Sequence, residues 1–261
     1  MSDAAALACA NGFSGRVIHA VRFSGWTDAI LTTFGVSAIA WLTCIAGLRL
    51  ISLHTAEGAP TRRDKTVLIF CLLLIGLPVP AFSWVCLTLL ASYVIATSQR
   101  GCDSVRGGSI LLALTIPMLW SRVAFTLLAK PILAADATLV AALLGTERLG
   151  NTVRFVDGSG YLEIFAGCSS LANVSLAVLG WYAACQLFHV QVTVRNFRWC
   201  LLASGCLVVV NGVRIAAIGA YPQHYALLHG GAGAEIAAWA SLVLIVAISA
   251  VGVRHELRAN N

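Results

Sequence analysis

The sequence predicts an all-α fold, a polytopic integral membrane bundle of helices. Three observations carry this: 59% of the 261 residues are hydrophobic, 11% are charged, and mean hydropathy is +0.87. Soluble domains carry about twice that charged fraction, so too little polar side chain is present to coat a surface facing water. The same composition excludes disordered, coiled-coil, collagen-like and nucleic-acid-binding chains. Formal net charge is +6 from 17 basic and 11 acidic residues, yet Lys65 and Lys130 are the only lysines and the arginines stand singly between apolar runs. Membrane topology accounts for that pattern better than a nucleic-acid partner does.

A helix that crosses a bilayer needs about 20 mostly apolar residues. Windows at roughly 27–53, 109–128, 161–188, 199–220 and 235–253 meet that requirement. The stretch from Val67 to Thr97 is too long for one straight span and is interrupted by Pro78 and Pro80, which predicts two short helices in a tight hairpin. Ile132 to Leu144 follows Lys130 and Pro131, carries Asp136 and is too short to cross unaided; it reads as an interfacial or re-entrant helix. The expected total is about seven spans, within six to eight. Residues 1–26 form an N-terminal segment for which an interfacial helix is one placement. Residues 27–258 read as a single transmembrane domain, with the chemistry concentrated in its half at about 109–253. Cys9, Arg16, His19 and Arg22 interrupt the N-terminus, so no removable signal peptide is expected. The loops with Arg62, Arg63 and Lys65, with Arg100 and Arg106, and with Arg195 and Arg198, and the tail with Arg254 and Arg258, fall on the cytoplasmic side. Residues 146–160 and 221–234 are then outside.

The nine cysteines form no CxxC pair and most lie in apolar runs, which argues against a zinc site or a disulfide framework; neither a metal nor a cofactor is expected. Three polar features stand out in the C-terminal half: Gly167-Cys168-Ser169-Ser170, Asn211-Gly212-Val213-Arg214, and His229 with the small residues through Gly233. If the helix of Cys168 begins at Tyr161, the thiol is about 10 Å deep from the outer face, and Arg214 is about 9 Å deep from Ala220. A thiol, a guanidinium and an imidazole from three consecutive elements thus reach one leaflet.

Those groups suit acyl transfer. A thiolate is a strong nucleophile, and a nearby permanent cation such as Arg214 favours it in apolar surroundings. Arg214 can instead, or also, hold the oxyanion of a tetrahedral intermediate. His229 can move the proton near neutral pH. Asn211, three residues before Arg214, faces the same way and can orient it or the substrate backbone, and Ser169, Ser170 and Gly233 are the remaining candidates for orienting substrate. Plainer readings exist for several of these residues. A cysteine in a span ordinarily packs, His224 competes with His229 for the same loop, Glu163 lies on a different helical face from Cys168, and Arg122 and Asp136 can pair with each other. Asp157-Gly158-Ser159-Gly160 lacks the leading glycine of a serine nucleophile motif. An arginine buried in a span costs at least about 3 kcal/mol, so Arg214 is functional or paired by default.

In order and spacing the three features resemble the exosortase and archaeosortase family of polytopic membrane proteins: Cys168 in GCSSL, Asn211 and Arg214 in NGVRI, and His229 with Gly233 in HGGAG. Pro117, Trp120, the Leu143-Leu144-Gly145 stretch and the loop from Gly150-Asn151 to Gly160 extend the likeness over roughly residues 109–250. Cys-Ser-Ser stands where Cys-Ser-Gly is common, and Gly230 where an acidic residue often follows the histidine. The resemblance implies a cysteine peptidase and transpeptidase in a prokaryotic plasma membrane, with its site toward the outer leaflet and its C-terminus in the cytoplasm. Its partners would be membrane-anchored proteins bearing a short C-terminal motif, a transmembrane helix and a basic tail, processed through a thioacyl intermediate. The reading from a different class is a non-enzymatic transport or assembly subunit for envelope polysaccharide or lipid, with Arg214 on an anionic headgroup.

Overall fold

A computed structural model describes residues 1–53 and 61–259. The protein is helical, and among the described residues five helical stretches are long and apolar enough to cross a membrane: Pro80–Thr97, Asp103–Leu144, Ser170–Leu187, Val194–Ala220 and Gly233–Ala259. The chain gathers into two compact units, one of residues 1–120 with 185–191 and one of residues 121–184 with 192–261.

The first unit is built from α1 (Ser2–Leu31), α2 (Ala38–Leu53), α3 (Arg62–Ile75), α4 (Pro80–Thr97) and α5 (Asp103–Thr115). All but Met1 of residues 1–26 lie within α1, whose helical geometry is interrupted at Gly25 by a φ of 76°. The helix packs against α4 through Phe13, whose ring lies 5.0 Å from that of Trp84, and Asn11 donates to the carbonyl of Ile75 and to Ser83 Oγ. The window 27–53 is not one helix. Thr33, Phe34 and Gly35 all take positive φ, which reverses the chain and leaves α2 only 16 residues long. The hairpin at Pro78 and Pro80 has the predicted two arms: α3 ends at Ile75, and Pro80 occupies the first turn of α4, where its missing N–H is no loss.

Small residues let α2 and α5 meet at backbone distance. A Cβ on Gly107 would stand 2.7 Å from the carbonyl oxygen of Gly47, and one on Gly47 would stand 2.7 Å from Leu111. Such contacts drive helix association where lipid removes the hydrophobic incentive. Arg106, buried on the same helix, is fully occupied: it pairs with Asp103 at 2.7 Å and donates to the carbonyls of Gln186 and Leu187.

The second unit carries the polar features. From α5 the chain runs through a π-type segment, Ile116–Trp120, into α6 (Ser121–Leu144). The stretch expected to be a separate interfacial helix from Ile132 is part of α6. Pro131 bends the helix at Leu128, whose φ and ψ are −119° and 20°, without ending it. Residues 146–160, expected to be a loop, hold two strands of a three-stranded antiparallel meander: β1 (Arg148–Leu149), β2 (Thr152–Arg154) and β3 (Tyr161–Glu163). Then come a 3-10 turn at Ala166–Cys168, α7 (Ser170–Leu187), α8 (Val194–Ala220), the five-residue α9 (Tyr225–His229) and α10 (Gly231–Ala259). The helix of 161–188 therefore starts nine residues later than the apolar window, because β3 and the turn occupy its first part. Val153, Leu162 and Ile164 of the meander close over an apolar cluster with Ala137 and Val140 of α6 and Ile215 and Ile218 of α8.

The glycine contacts of α5 generate a stability prediction. Gly107→Ala inserts a methyl group into backbone and is expected to lower the stability of the detergent-solubilised protein by about 1–3 kcal/mol. Gly205→Ala, where a Cβ meets nothing within 4 Å, is expected to be neutral or stabilising, since alanine is the better helix former. Thermal unfolding of the two variants side by side checks this.

Candidate active site

Cys168 stands on the 3-10 turn, not on a helix, so the depth of about 10 Å expected for a helix starting at Tyr161 does not apply. Its position is set by neighbours. The amide of Cys168 donates to the carbonyl of Phe165 at 2.9 Å, and its carbonyl accepts from Asn211 Nδ2 at 2.7 Å. Upstream, Asn151 ties β3 to the approach: its side chain donates to the carbonyl of Ile164 at 3.1 Å, and its carbonyl accepts from the Ile164 amide at 3.0 Å. Cys168 is 9% exposed and belongs to the apolar cluster on one side. On the other, Sγ lies 3.7 Å from His229 Nε2.

The start of α7 is closed by two oxygens. Ser169 Oγ accepts from the Leu171 amide at 3.2 Å, a helix cap, and Asp136 Oδ2 accepts from the Ser170 amide at 3.1 Å. Asp136 is 7% exposed, and its carboxylate sits where the helix presents partial positive charge. It is not the partner of Arg122, which is exposed and makes no ion pair among the described residues; a free amide at a helix start is the nearer and better partner. Ser170 also receives the Asn211 amide at 3.2 Å through Oγ. Asp136, Ser170, Asn211 and the carbonyl of Cys168 thus form one chain of hydrogen bonds beneath the thiol. Ser169 and Ser170 act here on the backbone that carries Cys168.

Asn211 reaches this chain because α8 packs closely on α6. A Cβ on Gly212 would stand 2.8 Å from Leu139, and one on Gly219 would stand 2.6 Å from Leu144. Arg214 follows Asn211 by three residues on the same helix. It is half-buried, its Nε is fully enclosed with no hydrogen-bond partner among the described residues, and it makes no hydrogen bond to Cys168 or His229. A buried guanidinium nitrogen without a partner costs about 1–3 kcal/mol or more.

His229 is the last residue of α9, exposed, with its ring stacked at 4.9 Å and 9° on Tyr225 one turn earlier. Tyr225 was not among the residues singled out from the sequence. The signal was its spacing of four from His229, which matters only once α9 is known to be helical. Gly233 has a backbone reason for its identity: a Cβ there would stand 2.7 Å from the carbonyl oxygens of both Leu227 and Leu228. The first turn of α10 thus backs directly onto α9 and sets where His229 sits. His224, in the turn Pro222–His224, is exposed, and it is His229 that the fold brings to Cys168.

Glu163 is exposed and accepts from Asn151 at 3.3 Å. Asp157-Gly158-Ser159-Gly160 is a turn in which Asp157 accepts from the Ser159 amide and hydroxyl; these bonds hold its carboxyl below the usual range. Among the described residues no group of three or more His, Cys, Asp or Glu side chains is arranged to hold a metal ion. Comparison with family models, with curated proteins and with solved structures gave no match.

The hydrogen-bond chain makes Asn211 structurally expensive to lose. Asn211→Ala leaves the Cys168 carbonyl buried and unpaired, with an expected loss of about 1–3 kcal/mol in stability. Gly233→Ala is expected to cost a similar amount, because the new Cβ would stand 2.7 Å from two backbone oxygens, and to displace α9 as well. Thermal unfolding, together with the rate of Cys168 alkylation, separates the two effects.

Proposed function

We propose that the protein is an intramembrane cysteine peptidase or transpeptidase of the exosortase and archaeosortase type. The observation that carries this reading is the 3.7 Å approach of Cys168 Sγ to His229 Nε2 across 61 residues of sequence. A thiol beside an imidazole is the minimum needed to generate a thiolate near neutral pH. Both the GCSSL and the HGGAG segments contribute to it.

In this reading His229 takes the thiol proton, and the Cys168 thiolate attacks the scissile carbonyl, forming a carbon–sulfur bond and an oxyanion. Arg214, three residues from Asn211 on the same helix, supplies the positive charge that this oxyanion needs. His229 returns the proton to the leaving amine as the carbon–nitrogen bond breaks. An amine or water, losing its proton to His229, then attacks the thioester; the carbon–sulfur bond breaks and His229 returns the proton to the Cys168 sulfur. The substrates are exported proteins with a C-terminal motif, a transmembrane helix and a basic tail. About seven spans in a prokaryotic plasma membrane put the Cys168 turn toward the outer leaflet and the end of α10 in the cytoplasm, in keeping with the basic residues at the start of α8 and the end of α10. A transport or assembly subunit would have no use for the thiol–imidazole contact.

Co-expression with a candidate substrate of this design tests the reading through the substrate's mass. Cys168→Ala and Cys168→Ser are expected to abolish processing at matched membrane levels, and full processing by Cys168→Ala would overturn it. His229→Ala is expected to stop turnover while His224→Ala retains it. Arg214→Lys keeps a charge but loses the planar fork, with an expected loss of at least about tenfold, or about 1.4 kcal/mol in the barrier.

A further inference from the structure

At the end of the second unit remote from Cys168, a cavity of about 550 Å³ is lined by Arg195, Val251, Arg254, His255, Arg258 and Ala259. Arg195 belongs to the first turn of α8 and lies 19 residues before Arg214, about 28 Å along the helix. The cavity is therefore separated from the candidate active site by roughly the thickness of a hydrocarbon core. Among the described residues none of the three arginines has a carboxylate within ion-pair distance. The neighbouring carboxylate, Glu256, is buried and already engaged, 3.3 Å from His255 Nδ1 and 3.9 Å from Arg198. Arg195, Arg254 and Arg258 are all exposed, so their donors stand free to converge on one anion.

The wall above the cavity indicates the form of the anion. Along α10, Arg254 and Arg258 continue a stripe with Ala240, Leu244, Ala247 and Val251 at spacings of three and four. Ala247 and Val251 are exposed, and Ala240 and Leu244 are half-buried. An apolar stripe that ends in arginines matches a molecule with a hydrocarbon chain and a charged head. We infer that this cavity binds the phosphate group of an anionic phospholipid, held by Arg195, Arg254 and Arg258 with its acyl chains along α10. The shared chemistry is a phosphate anion, and a lipid headgroup and free phosphate are its two sources.

Native mass spectrometry of the full-length protein, released from mixed micelles of phosphatidylglycerol and phosphatidylcholine, reads lipid retention directly. Selective retention of phosphatidylglycerol is expected, unaffected by millimolar inorganic phosphate. Neutralising an interfacial arginine weakens anionic-lipid binding about fivefold. Arg258→Gln, in the exposed last turn of α10, should lose about that factor, and the triple change Arg195→Gln, Arg254→Gln and Arg258→Gln about a hundredfold. Arg254→Lys, which keeps the charge, should retain most of the binding. Equal retention of the two lipids, or undiminished retention of phosphatidylglycerol by the single and triple variants, would overturn the site. Displacement by inorganic phosphate would assign the cavity to free phosphate and overturn the lipid.

Discussion

The bond from Asn211 Nδ2 to the carbonyl of Cys168, at 2.7 Å, is the constraint on which the candidate site depends. The turn carrying Cys168 has no helical ladder of its own, and a buried carbonyl in apolar surroundings must find a donor. Asn211 provides it only if α8 is rotated so that Gly212 and Gly219 meet Leu139 and Leu144 of α6. The same rotation sets the direction of Arg214. One amide therefore couples the packing of α6 on α8 to the place of the thiol, and Asp136 secures the other side of the turn by closing the start of α7.

The features readable in the sequence are those that depend on composition over long windows. The membrane class follows from hydropathy, and α8 and α10 lie close to their apolar windows because no proline or turn interrupts them. The hairpin at Pro78 and Pro80 was readable because proline acts through its own covalent structure. Cys168, Asn211 and His229 stood out as polar residues among apolar ones, and the fold brings these three together.

What was hidden depends on short or non-local structure. Residues 161–169 are apolar enough to pass for the start of a helix. Their alternation, with Tyr161 and Glu163 exposed and Leu162 and Ile164 buried, covers too few residues to separate a strand from a span. The break after α1 rests on positive φ at Thr33 and Phe34, residues that carry no such preference. Asp136 was paired with Arg122 by charge alone, whereas its partner is a backbone amide, which no side-chain pattern reveals. Gly233 was a candidate for orienting substrate; the structure adds a reason no side-chain pattern reveals, the approach of the Leu227 and Leu228 carbonyls to the place a Cβ would take.

The late start of α7 has a consequence for the surrounding lipid. With 18 residues, α7 is about 27 Å long, whereas the 27 residues of α8 and the 29 of α10 reach about 40 Å and 43 Å. Against a hydrocarbon core of about 30 Å, α7 falls just short, while the apolar parts of α8 (199–220) and α10 (235–253) span about 33 Å and about 28 Å. The end turns of α8 and α10 carry Arg195, Arg198, Arg254 and Arg258 past those apolar parts, whereas α7 has no turn to spare. A helix without a spare turn has nothing to absorb a change in hydrocarbon thickness, so such a change falls first on its start, at Ser169 and Ser170 beside Cys168.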